Sequence, residues 1–539
     1  MPSLYDPIIH LLFLVSIGLV TAAVLSFRIA SYVYLPDSIP WVGCQKELFS
    51  KLRANIREQK QGLELLDEGY NTYSKDGKPF ITPNVTLRPE ILLPLSQSSW
   101  LFKQPDDILS ARAVQSSILA ANYVVPRQTL ESDLHVEVAR IALTQQPAHG
   151  RRVRLAIDEI PGSDAGDWTD VNLSRAMLAI IMRSNARVFV RLPLCRDKTY
   201  LTLAYRHSMA IAICASIIRV LVPNVLKPIF GPIFALPCRW YAWRCNRYLI
   251  PIIKSRCVKI QLSKTDEAAP IDLLQHIISA AYSSPSESYR SPYIISASSA
   301  MVNIAAIHNT RITIVHALLD LLSYHPPATS PSPLEYIHGE ASAVLASHNN
   351  IWTRASVAQL HRADSAIRES LRYSTMGGRS SMRQIMPDSG VQLPSGETVP
   401  QGVWVGLPTG AIHHDAAFYP EPDAYRPFRF SDERAKLLAE SSSSDGQKAL
   451  EASRFAMTAT SHAFLPFSHG RHACPGRFYA AQLLKLLLAE LVLRYDLREL
   501  EERPKNRVIS DLTVPPWEVS IWVRRRSNGK EKEEAEGER

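Results

Sequence analysis

Cysteine is scarce in this chain of 539 residues: seven in all, at 44, 195, 214, 238, 245, 257 and 474, with no CxxC pair. An odd number without short spacings excludes a disulfide scaffold and fits a reducing compartment. No dominant block of Lys and Arg occurs, so the net charge of +9 suits an anionic membrane surface or an acidic partner and argues against nucleic acid. There is no internal repeat, and no G-x-G-x-x-G dinucleotide loop. Glycine (22) and proline (37) are too few for a collagen-like or low-complexity chain. What remains, with 46% hydrophobic and 21% charged residues, is a globular body of enzyme size.

One long apolar run is present. Residues 8–27, IIHLLFLVSIGLVTAAVLSF, carry no charge, and twenty residues at about 1.5 Å each span a bilayer once. Asp6 precedes the run, while Arg28, Lys46, Lys51 and Arg53 follow it. That bias predicts a single-pass anchor with the bulk of the protein in the cytosol. The sequons at Asn84 and Asn172 are then expected to carry no sugar. Residues 35–43, LPDSIPWVG, read as a stiff hinge, because proline fixes φ and restricts the residue before it.

The body reads as mostly α with small β-sheets, and 87–95 is a strand-like stretch. Residues 209–253 form a second apolar region broken by Pro223, Pro228, Pro232, Pro237 and Pro251, read either as core helices or as a surface dipping into the bilayer. Segments 283–292, 326–333 and 441–447 are predicted loops. Residues 294–322 look like one helix interior with His308, Asn309 and Thr310 embedded in it; buried polar groups of this kind pair with one another or face a cavity. The organisation expected is an anchor with the start of the hinge (1–34), a catalytic domain (35–523), and a charged disordered tail (524–539).

The most informative string is FSHGRHACPGR, residues 467–477. Its glycines and proline force a tight loop with a helix directly behind it, which puts the Cys474 sulfur near a helix N-terminus, where a thiolate is favoured. Three chemistries compete for it: a nucleophile, a zinc site with His469 and His472, and a thiolate ligand to haem iron. The compact Cys/His pairs of structural zinc sites are absent.

The string resembles the haem-binding signature of the cytochrome P450 family, F-x-x-G-x-(R/H)-x-C-x-G, with Phe467, Gly470, His472, Cys474 and Gly476 in place. Glu369-x-x-Arg372 is similar to the family's E-x-x-R, and the segment holding Pro427, Arg429 and Phe430 to its F-x-P-x-R-F. The resemblance implies the cytochrome P450 fold, haem b with Cys474 as the iron ligand, Phe467 beside the sulfur, and His472 on a haem propionate. It implies also a buried cluster of Glu369, Arg372 and Arg429, and Arg383 as a second propionate partner, with Arg379 as its competitor. His413, His414 and Asp415 then read as structural.

The oxygen-activating signature departs from the family pattern. In AAIHNT, residues 305–310, His308 replaces the usual acid and Asn309 the usual alcohol, so His308, Asn309 and Thr310 are the candidate catalytic residues, with Thr310 in the alcohol's place if the register slips by one. The W-x-x-x-R pattern expected around 135–144 is missing. By resemblance the protein is a haem-thiolate monooxygenase of the fungal microsomal, secondary-metabolism type, anchored in the endoplasmic reticulum. It would take electrons from NADPH through NADPH-cytochrome P450 reductase and oxidise an apolar, terpenoid-type small molecule. The alternatives are a reductase-independent haem-thiolate isomerase or dehydratase, and a non-catalytic haem-binding protein.

Overall fold

The computed structural model describes residues 35–526 apart from 146–149, 159–165, 263–271 and 441–445. Of the apolar run at 8–27 it describes only Ile17, Gly18, Val20, Thr21, Val24 and Leu25, all helical. The expected anchor therefore lies mainly outside the described residues.

The hinge is fastened to a sheet. Leu35, Ile39 and Val42 are buried, and the chain docks through Val42 N–H to the Ile81 carbonyl (3.0 Å) and Ile81 N–H to the Pro40 carbonyl (2.8 Å). The described helices of eight residues or more, in chain order, are α1 (Ser50–Thr72), α2 (Ala111–Ile118), α3 (Leu134–Gln145), α4 (Gly150–Ile157), α5 (Leu173–Phe189), α6 (Lys198–Leu221) and α7 (Lys227–Phe234). They continue with α8 (Leu236–Leu262), α9 (Leu273–Ser283), α10 (Pro292–Leu322), α11 (Pro333–Ser347), α12 (His361–Tyr373), α13 (Arg429–Ala439) and α14 (Arg477–Arg494). Local chemistry starts several of them. Asp197 accepts from the N–H groups of Thr199 and Tyr200 at the start of α6, and Ser332 with Glu335 forms a capping box ahead of Pro333 in α11.

Two helices carry the core. α10 holds the whole of 294–322 as expected, and it buries apolar side chains around most of its circumference, as a central helix must. α14 is buried almost throughout; the charged side chains inside it are paired, Lys485 with Asp364 (3.3 Å), and Glu490 with Trp352 (2.6 Å) and Arg494 (3.0 Å). One apolar core joins them to α3, α5, α9 and α12.

The strands are β1 (Phe80–Thr82), β2 (Glu90–Leu92), β3 (Leu109–Ser110), β4 (Thr169–Asn172), β5 (Ser380–Ile385), β6 (Val391–Gln392), β7 (Thr398–Val399), β8 (Trp404–Leu407), β9 (Tyr495–Leu497), β10 (Arg507–Ile509), β11 (Leu512–Val514) and β12 (Ser520–Arg525). The largest sheet runs β1-β2-β8-β5-β3, parallel between β2 and β8 and otherwise antiparallel. A second runs β4-β12-β9, and β10-β11 and β6-β7 are two-stranded. β12 reaches Arg525, two residues into the expected tail, because Arg524 pairs with Asp496 (2.9 Å) and Arg525 with Asp158 (3.2 Å). Residues from 527 lie outside the described set.

Three expectations change in detail. Within 283–292 a 3-10 turn forms at Glu287–Arg290, and Gly446 already opens a short helix. In the second apolar region, α6 is long and apolar enough to cross a membrane, but its buried face packs against α8 and α10, so it is a core helix. Beside it, α7 and the start of α8 turn Ile229, Phe230, Ile233, Leu236, Trp240 and Trp243 outward.

Candidate functional site

The loop ahead of α14 closes on itself. Cys474 N–H donates to the Phe467 carbonyl at 2.8 Å and Ala473 N–H to the Gly470 carbonyl at 3.1 Å, and Gly470 sits at φ +70°, a backbone that disfavours any side chain. Phe467 packs on the main core. Beside Gly476, the space a Cβ would occupy is open.

Helix placement alone favours a Cys474 thiolate, yet burial dominates and pushes the thiol up from its ordinary value; the Gly476 and Arg477 amides and the Arg477 charge pull against it. A cysteine nucleophile needs the opposite shift, whereas a coordinated cation deprotonates a thiol outright. The raised thiol argues against the nucleophile and leaves the iron-ligand reading standing. The zinc reading finds no site: among the described residues no group of three His, Cys, Asp or Glu side chains could hold a metal ion, and both histidines have other partners. His469 bonds Thr460 (2.9 Å), and His472 bonds Asp106 (2.8 Å).

Arg379 and Arg383 separate clearly. Arg379 is caged by Glu58 (2.9 Å), Glu90 (2.9 Å) and Asp511 (2.7 Å). Arg383 is buried, spends one nitrogen on the Met382 carbonyl (2.9 Å), and has Nη2 without an acceptor among the described residues. Burial lowers its guanidinium to about 10, and the same burial, together with Arg383, lowers His472. Arg471 and His472 both pair with Asp106, whose charge also reaches Arg383 without a contact. Ser381 and Ser468, 3.0 Å apart, join β5 to the cysteine loop. A sulfur met by two backbone amides, open space at Gly476 and an orphaned buried guanidinium N–H fit an iron-bearing group with acidic side arms.

Behind the loop, Glu369, Arg372 and Arg429 are brought together across sixty residues of sequence. Arg372 grips both Glu369 oxygens (2.8 and 2.9 Å), and Arg429 Nε donates to Oε1 at 3.0 Å. Their remaining donors are met by the carbonyls of His413, Pro422 and Glu421. Such a buried cluster persists only because every polar atom is answered. His413 bonds Thr375 (2.8 Å) and accepts from Leu465 N–H (3.1 Å); burial holds it neutral with a pKa of about 3. His414 bonds Asp423, and Asp415 bonds Tyr70, so the three side chains share no centre.

On α10 the three candidates diverge. Asn309 and Ala305, one turn apart, are exposed, while Thr310 is buried. His308 reaches α6, with Nε2 3.0 Å from the Ser208 hydroxyl and its ring 6.0 Å from that of Tyr205. Ser208 also donates to the Tyr205 carbonyl (2.7 Å), leaving it to accept from His308 Nε2–H. Burial holds His308 neutral, with a pKa of about 4. Ser208 and Ile307 line a cavity of 130 Å³ enclosed by α5, α6, α8 and α10. The sequence pointed to neither Ser208 nor Arg140, which lies on α3 close enough to lower the pKa of Arg477.

A helical body with small sheets, closed by a cysteine loop against a buried Glu–Arg–Arg cluster, defines a haem-thiolate protein. The family model of cytochrome P450 matches residues 220–521, and the chain belongs to the cytochrome P450 family. It is 32% identical to cytochrome P450 monooxygenase polB of Polytolypa hystricis, over 94% of this chain and 98% of that one. It is 31% identical to lnaC of Aspergillus flavus (92% and 93%) and to fsoD of Humicola fuscoatra (96% and 98%), both also named cytochrome P450 monooxygenases. The protein is accordingly an oxygen-incorporating oxidoreductase that uses haem with cysteine-thiolate ligation.

Proposed function

We propose that Cys474 is the iron ligand of this monooxygenase. The observation that carries the reading is its sulfur, half-buried at the head of α14 with the Gly476 and Arg477 amides directed at it. Arg383 and His472 would hold the propionates, and Phe467 would shield the sulfur. Glu369, Arg372 and Arg429 would lock the proximal core. When bound, haem supplies dioxygen activation and oxygen insertion into a C–H bond. The chain supplies the rest. Asn309 presents its amide on the open side of α10 and orders water there. His308 stays neutral with its proton on Nε2, donated to Ser208, which ties α10 to α6 and leaves Nδ1 as an acceptor.

The substrate is an apolar small molecule, a terpenoid-type secondary metabolite, and electrons come from NADPH through NADPH-cytochrome P450 reductase. The single-pass run at 8–27 would anchor the chain in the endoplasmic reticulum with residues 35–523 in the cytosol, and the outward apolar side chains of α7 would rest on the same bilayer. As a test, microsomes carrying the chain and a reductase would be given extracts from a deletion strain under isotopically heavy dioxygen. Products that carry the label and require NADPH support the reading. Unlabelled products formed without NADPH would establish the isomerase or dehydratase alternative instead.

A further inference from the structure

A second cavity, of 260 Å³, opens between the turn ahead of β2, the end of α6 and the start of α7. It lies across the sheet from the haem-side residues: Gln384 and Trp404 line it, whereas Arg383, the neighbour of Gln384 in β5, points to the other face. Three cations line it, Arg88, Arg219 and Lys227, and among the described lining residues the one carboxylate is Glu90.

Glu90 is already engaged. It accepts from Asn84 (2.8 Å) and Arg379 (2.9 Å), and Arg379 also answers Glu58 and Asp511. Those three carboxylates draw on Arg379 and, more weakly, on Arg219. Arg88 and Lys227 add two further positive charges to the same wall. Asn84, Thr86, Ser117 and Asn224 give it polar edges. Directly after Lys227, α7 presents Ile229, Phe230 and Ile233 to the outside at 63%, 41% and 51% exposure.

We propose that this cavity binds the oxyanion head of an amphiphile, a carboxylate or phosphate, whose apolar tail lies along α7. A cationic, hydrogen-bonding pocket continuous with an apolar strip is complementary to such a molecule. The inference goes beyond the reading of an apolar substrate: the cavity lies across the sheet from the haem-side residues, so the amphiphile is a ligand of this outer face and not the molecule oxidised.

The test uses the full chain in neutral detergent and reads tryptophan quenching by 2-bromododecanoate, which carries its quencher beside the head group. Trp404 lines the cavity and donates to Gln384 at 3.1 Å, so its emission reports occupancy, and Trp404→Phe defines its share of the signal. The acid is expected to quench Trp404 at concentrations about tenfold lower than its methyl ester, as for one charge-assisted hydrogen bond. Arg88→Gln and Lys227→Gln should each remove most of that preference, and added salt should weaken it. Competition by dodecyl phosphate against dodecanoate separates a lipid-like phosphate from a carboxylic acid as the preferred head. Equal quenching by acid and ester, or a preference unchanged in the double variant, would overturn the proposal. Because the readout does not involve haem, either result stands apart from the fate of the iron-ligand assignment.

Discussion

Asn309 and Thr310 are neighbours on α10, about 100° apart around its axis, and differ in burial: Asn309 is exposed and Thr310 is buried to 6% exposure. On the proposed reading the side chain that orders water on the open face is therefore the amide. Asn309→Thr should leave stability within about 0.5 kcal/mol and raise product formed per NADPH consumed. Thr310→Ala should cost about 1 kcal/mol in denaturant unfolding and leave that ratio unchanged. Peroxide release measured beside product decides between them, and a loss of coupling confined to Thr310→Ala would reverse the assignment.

Arg379 and Arg383 differ by four positions and by function. Removing Arg379 strips the countercharge from Glu58, Glu90 and Asp511, so Arg379→Leu should destabilise the fold by about 3–5 kcal/mol. Arg383→Leu should instead leave unfolding nearly unchanged while weakening haem retention about tenfold. Haem absorbance per protein and denaturant midpoints, measured on both variants, check this, and Arg383→Lys should recover part of the retention.

Glu369 neutralises two buried guanidinium groups. Glu369→Gln leaves Arg372 and Arg429 without a carboxylate, at a cost of about 3–5 kcal/mol. The expected outcome is loss of soluble protein, with Glu369→Asp intermediate. Pulse proteolysis showing wild-type resistance for Glu369→Gln would contradict the role given to the cluster.

His413 makes stability pH-dependent in a defined direction. Its folded pKa, about 3, is depressed below the ordinary value near 6.5, so the unfolded chain takes up the proton first as pH falls. Its contribution is intact above about pH 6.5 and declines toward pH 4, by about 3 kcal/mol at most. His413→Gln, which retains hydrogen bonding without titrating, should make the unfolding free energy fall less steeply between those pH values, the other histidines that burial depresses, His207, His308 and His316, supplying the slope that remains, while lowering it at pH 7. A parallel profile for variant and wild type would remove His413 as the cause.

What the sequence revealed follows from how far apart the partners lie. The loop at 467–476 is contiguous, its glycine and proline chemistry is local, and its geometry was legible. The 294–322 helix was legible from its apolar run. Glu369 and Arg429 could be paired only through family resemblance, because nothing local marks a contact across sixty residues. Ser208 and His308 lie a hundred residues apart, and no spacing announces their hydrogen bond. Arg379 could not be told from Arg383, since the carboxylates that cage it come from α1, β2 and the turn after β10. At Cys474 the helix terminus is visible in sequence, and the burial that raises its thiol is not.

The central claim is that Cys474 is the iron ligand. Its most direct test is the carbon monoxide difference spectrum of the reduced protein, recorded beside Cys474→Ala. The account predicts a Soret band displaced to longer wavelength than a histidine-ligated haem gives, absent from a variant that remains folded. A folded wild-type protein that binds no haem, or a band that survives in Cys474→Ala, would contradict it.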